Sequence, residues 1–248
     1  MEEFLEFMSS PAGIAIFSVV AAAIVIAVIA LNYRFFAKSA LDLLFGLVFF
    51  IITSPLTAVC AAVVRANAGR ACTRCWIVGK GGKPVEVRVF SDYMSGEKQG
   101  YICCTWLKYL PLLLSVITGK LSLVGPSPLP LIDGTLIPEE YEGRFSVRPG
   151  LFSSAANIFP RRPAYEEMFA ADCAYAARRN LFSDLRSFFV PLLRLFRGEK
   201  SGFISLGRDG YAEELLSRGA ITGEQYDKAG ELARQSVEDL RRAKNRVG

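Results

Sequence analysis

Residues 13–31 read GIAIFSVVAAAIVIAVIAL, a run without a single charge. At about 1.5 Å of rise per residue, such a helix just covers a hydrocarbon core roughly 30 Å thick. The chain is therefore expected to place a transmembrane helix there. The ten residues before it, MEEFLEFMSS, hold three glutamates and no basic residue, whereas a cleaved secretory signal needs a positive start. Arg34 and Lys38 follow on the other flank. The positive-inside rule then leaves residues 1–12 outside and sends everything after Asn32 into the cytoplasm.

A second apolar stretch, residues 38–64, carries Asp42 near its start and Thr53-Ser54-Pro55 in its middle. Lys38 precedes it, and Arg65 and Arg70 follow. Positive flanks at both ends point to a re-entrant helix broken at Ser54 and Pro55, with both ends on one membrane face. Proline removes a backbone donor, and Ser54 or Thr53 can satisfy the freed carbonyls. The rival is a simple kinked second span. Hydrophobic residues make up 52% and mean hydropathy is +0.30, which fits a membrane-attached protein with a sizeable polar part. The net charge of +5 suits membrane lipids as partners. No basic run or aromatic-interleaved basic stripe points to nucleic acid.

There is no histidine, which removes the commonest general base and metal ligand. Cys72-Thr-Arg-Cys75 with Cys103-Cys104 has some of the makings of a zinc clamp, but the second pair lacks the usual spacer. Reduced thiols in a cytoplasmic, membrane-proximal domain are the preferred reading, and no metal ligand is assigned.

The region 110–128, LPLLLSVITGKLSLVGPSP, is similar to the LPQLxNVLxGxMSLVGPRP segment of the monotopic phosphoglycosyl transferases, the bacterial sugar transferase family. Arg144-Phe-Ser-Val-Arg148-Pro149-Gly150 resembles that family's R-x-x-V-R-P-G. Asp172-Cys-Ala-Tyr175, Ser183-Asp184-Leu185 and the Gly79–Gly82 turn resemble further elements. The likeness runs from about Lys38 to Arg197. It implies a bacterial inner-membrane protein whose main domain faces the cytoplasm. Its relatives would transfer a sugar phosphate from a UDP-sugar to polyprenyl phosphate in surface-glycan assembly. The family's Asp-Glu pair supplies the attacking carboxylate, with Mg2+ balancing the phosphate charge.

Here the family's S-L-D-E-L-P reads Trp106-Leu107-Lys108-Tyr109-Leu110-Pro111. Lys108 stands at the nucleophile and Tyr109 at its acidic neighbour, so no catalytic residue is assigned. An ammonium there repels a divalent cation, so no cofactor is expected. Other phosphate-binding cations are missing too: Ser127 replaces the arginine of V-G-P-R-P, Val89-Phe90-Ser91 replaces K-F-R, and Cys103-Cys104 replaces a basic pair. The loop between Met94 and Tyr101 is short. Asp92, Glu97, Asp133, Glu139 and Glu140 are the carboxylates left for an atypical nucleophile, each expected on a solvated surface. Lys38, Arg144 and Arg148 are the candidate contacts for an anion or a lipid phosphate.

The expected architecture is membrane-anchored α+β, mostly α. Residues 65–197 form a degenerate transferase domain, and residues 198–248 a helical tail. Residues 106–123 and the aromatic and arginine-rich run 188–197 read as interfacial amphipathic helices, with buried core helices as the rival. In the tail, Tyr211 to Arg218 reads as a short helix stopped by Gly219. Thr222-x-x-Gln225 is a capping box opening a longer one. That hairpin suits association or is a dispensable extension. The expected function is a non-catalytic homologue that pairs with an active transferase as a hetero-oligomer. The alternatives are an active transferase with an unusual nucleophile and a regulator that binds polyprenyl phosphate or UDP-sugar.

Overall fold

A computed structural model of the chain describes residues 10–31, 37–95, 98–102, 105–155, 163–196 and 210–247. Arg34, Glu97, Cys103, Cys104 and Arg197 lie outside the described residues, as do the N-terminal nine residues and most of the segment joining body to tail.

Helix α1 (Pro11–Leu31) carries no charge, and its large apolar side chains from Ile14 to Val28 stand half exposed or more. Helix α2 (Lys38–Ala68) has 31 residues and is long and apolar enough to cross a membrane. It stays helical through Pro55. The reason is local. Proline at 55 removes the donor for the Ile51 carbonyl, and the Ser54 hydroxyl donates to that same oxygen at 2.8 Å. Thr53 likewise donates to the Phe49 carbonyl at 2.8 Å.

The buried residues of α2 are Lys38, Asp42, Gly46, Thr53, Cys60 and Val64. They recur at helical spacing and form one stripe along the whole helix. That stripe rests on a single small α+β domain. Its first turns meet β5 (Ser122–Gly125), and Val64 near its far end enters the main core with Ile77, Phe90, Leu112, Leu113 and Leu121. The opposite face bears Leu43, Leu44, Ile51, Ile52 and Val59, all exposed.

Strands β1 (Cys72–Val78) and β2 (Pro84–Phe90) pair antiparallel from Cys72↔Phe90 to Val78↔Pro84. Their turn, Lys80–Gly82, needs positive φ at Gly81 and Gly82 (70° and 72°), which side chains resist. A minor hairpin, β3 (Met94–Ser95) with β4 (Lys98–Gln99), follows. A 3-10 turn at Trp106–Tyr109 leads into α3 (Leu112–Ile117). The region 106–123 is core rather than interfacial: Leu110, Leu112, Leu113, Val116, Leu121 and Leu123 are buried.

Strand β5 pairs in parallel with β6 (Gly150–Ser153). The V-G-P and R-P-G motifs meet at this ladder. A Cβ on Gly150 would lie 2.0 Å from the Gly125 amide nitrogen, and one on Gly125 would lie 2.7 Å from the Arg148 carbonyl. Only glycine permits that approach. Between the strands lie α4 (Leu131–Gly134) and a 3-10 segment, Glu139–Ser146.

Helices α5 (Tyr165–Arg178) and α6 (Leu181–Phe196) close the domain. The Asn180 side-chain oxygen caps α6 by accepting from the Ser183 amide at 2.8 Å. Helix α6 divides its aromatics. Phe188 packs edge-on against Phe49 and Phe152, while Phe182, Phe189 and Leu193 are exposed. One helix thus answers to both the core and the interfacial reading.

The tail forms α7 (Tyr211–Ser217) and α8 (Gly223–Val247). Its capping box closes reciprocally: the Thr222 amide donates to Gln225 Oε1 at 2.8 Å and the Gln225 amide to Thr222 Oγ1 at 3.3 Å. The hairpin is docked on the body rather than standing in solvent. Ala233 and Val237 pack on Val78, Leu131 and Trp76, and Tyr211 stacks among Tyr165 and Phe169.

Candidate functional site

Strand β2 ends at Phe90, and Asp92 follows one residue beyond Ser91. The Trp106–Tyr109 turn lies against this strand end. Lys108 Nζ donates to Asp92 Oδ1 at 2.7 Å and to Oδ2 at 3.0 Å. The Lys108 side chain is mostly covered, whereas that of Asp92 is 58% exposed. Gln99 on β4 adds a long contact to Asp92 at 3.4 Å. The nucleophile position suggested by the family likeness thus holds an ammonium, and a carboxylate just past the end of β2 already pairs with it.

Tyr109, at the acidic-neighbour position, does not replace a carboxylate. Burial, helped by the charge of Asp92, pushes its phenol up to about 12, so it stays neutral at ordinary pH. The positions answering to K-F-R are equally silent. Phe90 is in the core, and Ser91 is buried with its hydroxyl 2.8 Å from Thr73 Oγ1. Ser127 is buried with its hydroxyl 2.6 Å from Ser153 Oγ.

Among the described residues, no three His, Cys, Asp or Glu side chains gather. A magnesium ion does not fit the Lys108–Asp92 pair, because the carboxylate that would ligate it is hydrogen-bonded by a competing cation. Cys72 and Cys75 sit half-buried on β1 as free thiols.

The other candidate carboxylates scatter. Glu139 and Glu140 are exposed on a different segment. Asp133, expected on the surface, is 1% exposed. Its Oδ1 accepts from the Ala212 amide at 3.0 Å and thereby holds the start of α7. Burial pushes its carboxyl up, and the Ala212 and Tyr211 amides pull it back.

Two of the three candidate anion contacts are structural. Arg144 is 2% exposed, so it cannot reach a lipid phosphate as expected. It donates from Nη2 to Asp172 Oδ2 and to the Ser127 carbonyl, each at 2.7 Å, and lies 4.8 Å from the Phe169 ring centre. Asp172 is fully buried and also accepts from the Ser127 amide at 3.0 Å and Ser154 Oγ at 2.9 Å. Burial raises the Asp172 carboxyl, and Arg144 with these donors draws it back toward ionisation.

Lys38 is buried as well. It donates to the Val124 carbonyl at 3.0 Å and to Asp184, whose other oxygen accepts from Tyr175 Oη at 2.6 Å. Asp42 accepts from Ser122 Oγ at 2.6 Å and from the Leu123 amide at 3.2 Å. The D-x-x-Y and S-x-x-D-L motifs therefore build a buried bolt between α2, β5, α5 and α6. Only Arg148 is part-exposed. It donates to the Gly119 carbonyl at 3.1 Å and to Ser39 Oγ at 3.0 Å.

Sequence reasoning missed the Asp92–Lys108 pair. The two residues are 16 positions apart, and the only hint was that an unexpected cation needs an anion nearby.

A family profile described as bacterial sugar transferase matches residues 33–198. A protein named "Uncharacterized sugar transferase EpsL" from Bacillus subtilis (strain 168) is 36% identical over 90 residues. That match covers 36% of this chain and 45% of the relative, so the likeness spans less than half of that protein.

Proposed function

The chain belongs to the bacterial sugar transferase family, and on that premise we propose that it is a non-catalytic homologue that partners and stabilises an active transferase. The partner would move a sugar phosphate from a UDP-sugar to polyprenyl phosphate in surface-glycan assembly. The observation that carries this reading is the Lys108–Asp92 pair. The nucleophile position thus holds a cationic side chain already engaged by a carboxylate, and its charge opposes a metal that would balance phosphates. By contrast, Gly125, Gly150, Asp172, Tyr175 and Asp184 all serve packing or buried hydrogen bonds. The fold is kept while the chemistry is replaced.

The membrane arrangement follows the same reading. Helix α2 enters and leaves on the cytoplasmic face of the inner membrane, with α1 as a separate span. Support comes from both halves of α2 packing on one domain, Lys38 and Asp42 at one end and Val64 at the other.

One observation favours a second reading. Asp92 is a part-exposed carboxylate at the site itself, so an active enzyme with Asp92 as an unusual nucleophile needs no rearranged loop. Binding of polyprenyl phosphate or UDP-sugar for regulation is the third. The purified full chain, given polyprenyl phosphate, Mg2+ and a panel of UDP-sugars, is expected to release no UMP above background. It is also expected to copurify from native membranes with a dyad-bearing transferase. Turnover abolished by Asp92→Asn would overturn the proposal and establish the second reading.

A further inference from the structure

The small hairpin of β3 and β4 turns apolar side chains outward. Successive residues of an extended chain point to opposite faces. Tyr93 packs into the main core, and the Gly100 amide donates to its carbonyl at 2.9 Å. Met94 pairs with Gln99, and both are exposed on the other face. Tyr101, two positions after Gln99, is exposed as well. Outward positions of an antiparallel ladder are ordinarily polar, yet Met94 is 61% exposed and Tyr101 75%.

Place accounts for the pattern. The Ser91 amide donates at 3.0 Å to the carbonyl of Ala71, just past the end of α2. Met94 follows Ser91 within a chain reach of roughly 11 Å, and β3 packs on α2. The hairpin therefore stands beside the last turns of α2, where Val59 and Val63 continue the exposed apolar face of that helix. Arg65 and Arg70 are exposed there too, as is Lys98 on β4. Apolar side chains, then an amphipathic aromatic, then cations is the order of residues across a membrane boundary. Asp92 precedes Met94 by two residues and shares its side. Lys108 holds both oxygens of that carboxylate, so no unpaired negative charge is added there against anionic lipid.

We infer that the β3–β4 hairpin is a membrane-docking element that seats Met94 and Tyr101 in the interfacial zone of a bilayer, beside the C-terminal end of α2. The inference rests on α2 lying in the membrane, as proposed above, and not on the loss of catalysis. Position selects a bilayer over a protein partner, because the surface is continuous with the face of a helix long and apolar enough to enter hydrocarbon. Burial of apolar area drives the docking, and no particular headgroup is required.

The test uses the full chain in vesicles of mixed neutral and anionic phospholipid. Met94→Trp and Tyr101→Trp each add one fluorophore at an exposed position, and the parent chain with Trp76 and Trp106 gives the baseline. Ile52→Trp, exposed near the middle of α2, reports on the helix, and Leu232→Trp, exposed on α8, reports on the tail. The quenchers are phospholipids brominated either near the headgroup end or near the far end of their acyl chains. Both hairpin variants are expected to show blue-shifted added emission, lost more with the shallow bromine than with the deep one. Ile52→Trp should lose more with the deep bromine, and Leu232→Trp should keep its emission with either. Quenching at Ile52→Trp but at neither hairpin position overturns the inference and leaves that face to a protein partner. Equal quenching at Leu232→Trp overturns it as well. An unquenched Ile52→Trp overturns the membrane placement of α2, and the inference falls with it.

Discussion

Asp172→Asn is the substitution that separates scaffold from chemistry in the family-like motifs. The side chains of Asp172 and Arg144 are 0% and 1% exposed, and their oxygen and nitrogen lie 2.7 Å apart. Asparagine keeps the volume and one of the two acceptor oxygens but leaves a buried guanidinium without its counter-charge. Breaking one partner of such a pair costs about 3–5 kcal/mol. For a chain of this size, each kcal/mol moves the unfolding midpoint by roughly 2–4 °C. Asp172→Asn should therefore lower it by roughly 6–20 °C. Ser154→Ala removes one hydrogen bond to the same carboxylate and should cost about 1 kcal/mol. The double change Arg144→Met/Asp172→Leu removes both charges and should be milder than Asp172→Asn. Differential scanning fluorimetry of the full chain in detergent follows all three through Trp76 and Trp106. A midpoint for Asp172→Asn within 2 °C of the parent, or a double variant worse than the single, would refute the assignment of this motif to buried structure.

Lys108→Ala should change stability by less than about 1 kcal/mol, since its partner is largely solvated, and should not confer UMP release; denaturant unfolding and a UMP assay check both. In a spectrophotometric titration at alkaline pH, Tyr109→Phe should remove the tyrosine that ionises near 12. Because that phenol is raised when folded, its share of stability holds below about pH 10 and is lost as pH climbs toward 12. Gly150→Ala should prevent normal pairing of β5 and β6, given the 2.0 Å approach of its Cβ to Gly125, and give little folded protein on gel filtration. Asp133→Ala should loosen the tail at a cost of about 1 kcal/mol or more, seen as faster proteolysis ahead of Tyr211 while the body resists.

The elements that announce themselves in the sequence are those with local patterns. The uncharged run 13–31, the proline rescued by Ser54, the Gly79–Gly82 turn and the Thr222–Gln225 capping box can each be read within a few residues. What escaped reading has long-range causes. Lys38 and Asp42 look like charges flanking a membrane segment, yet their partners lie 146 and 80 positions away in Asp184 and Ser122. Arg144 looks like a free cation because Asp172 is 28 positions downstream. Alternation and composition say nothing about such pairings, which follow from tertiary packing. At the candidate site, Lys108 and Tyr109 are legible in the sequence, whereas the Asp92 counter-ion depended on how β2 ends beside the following turn.

The anchoring of α7 on Asp133 also bears on how the protein is made. Asp133 precedes its partner Ala212 by 79 residues. At a synthesis rate of about 5–20 residues per second, that gap is roughly 4–16 s. Throughout that interval the nascent body has a carboxylate with no amides to meet it, so its seat must stay hydrated and open. The apolar surface around Val78 and Leu131 waits longer still, until Ala233 has been made. The body is thus obliged to finish folding after its own sequence is complete, and a ribosome stalled before residue 212 would leave a chain for quality control to recognise.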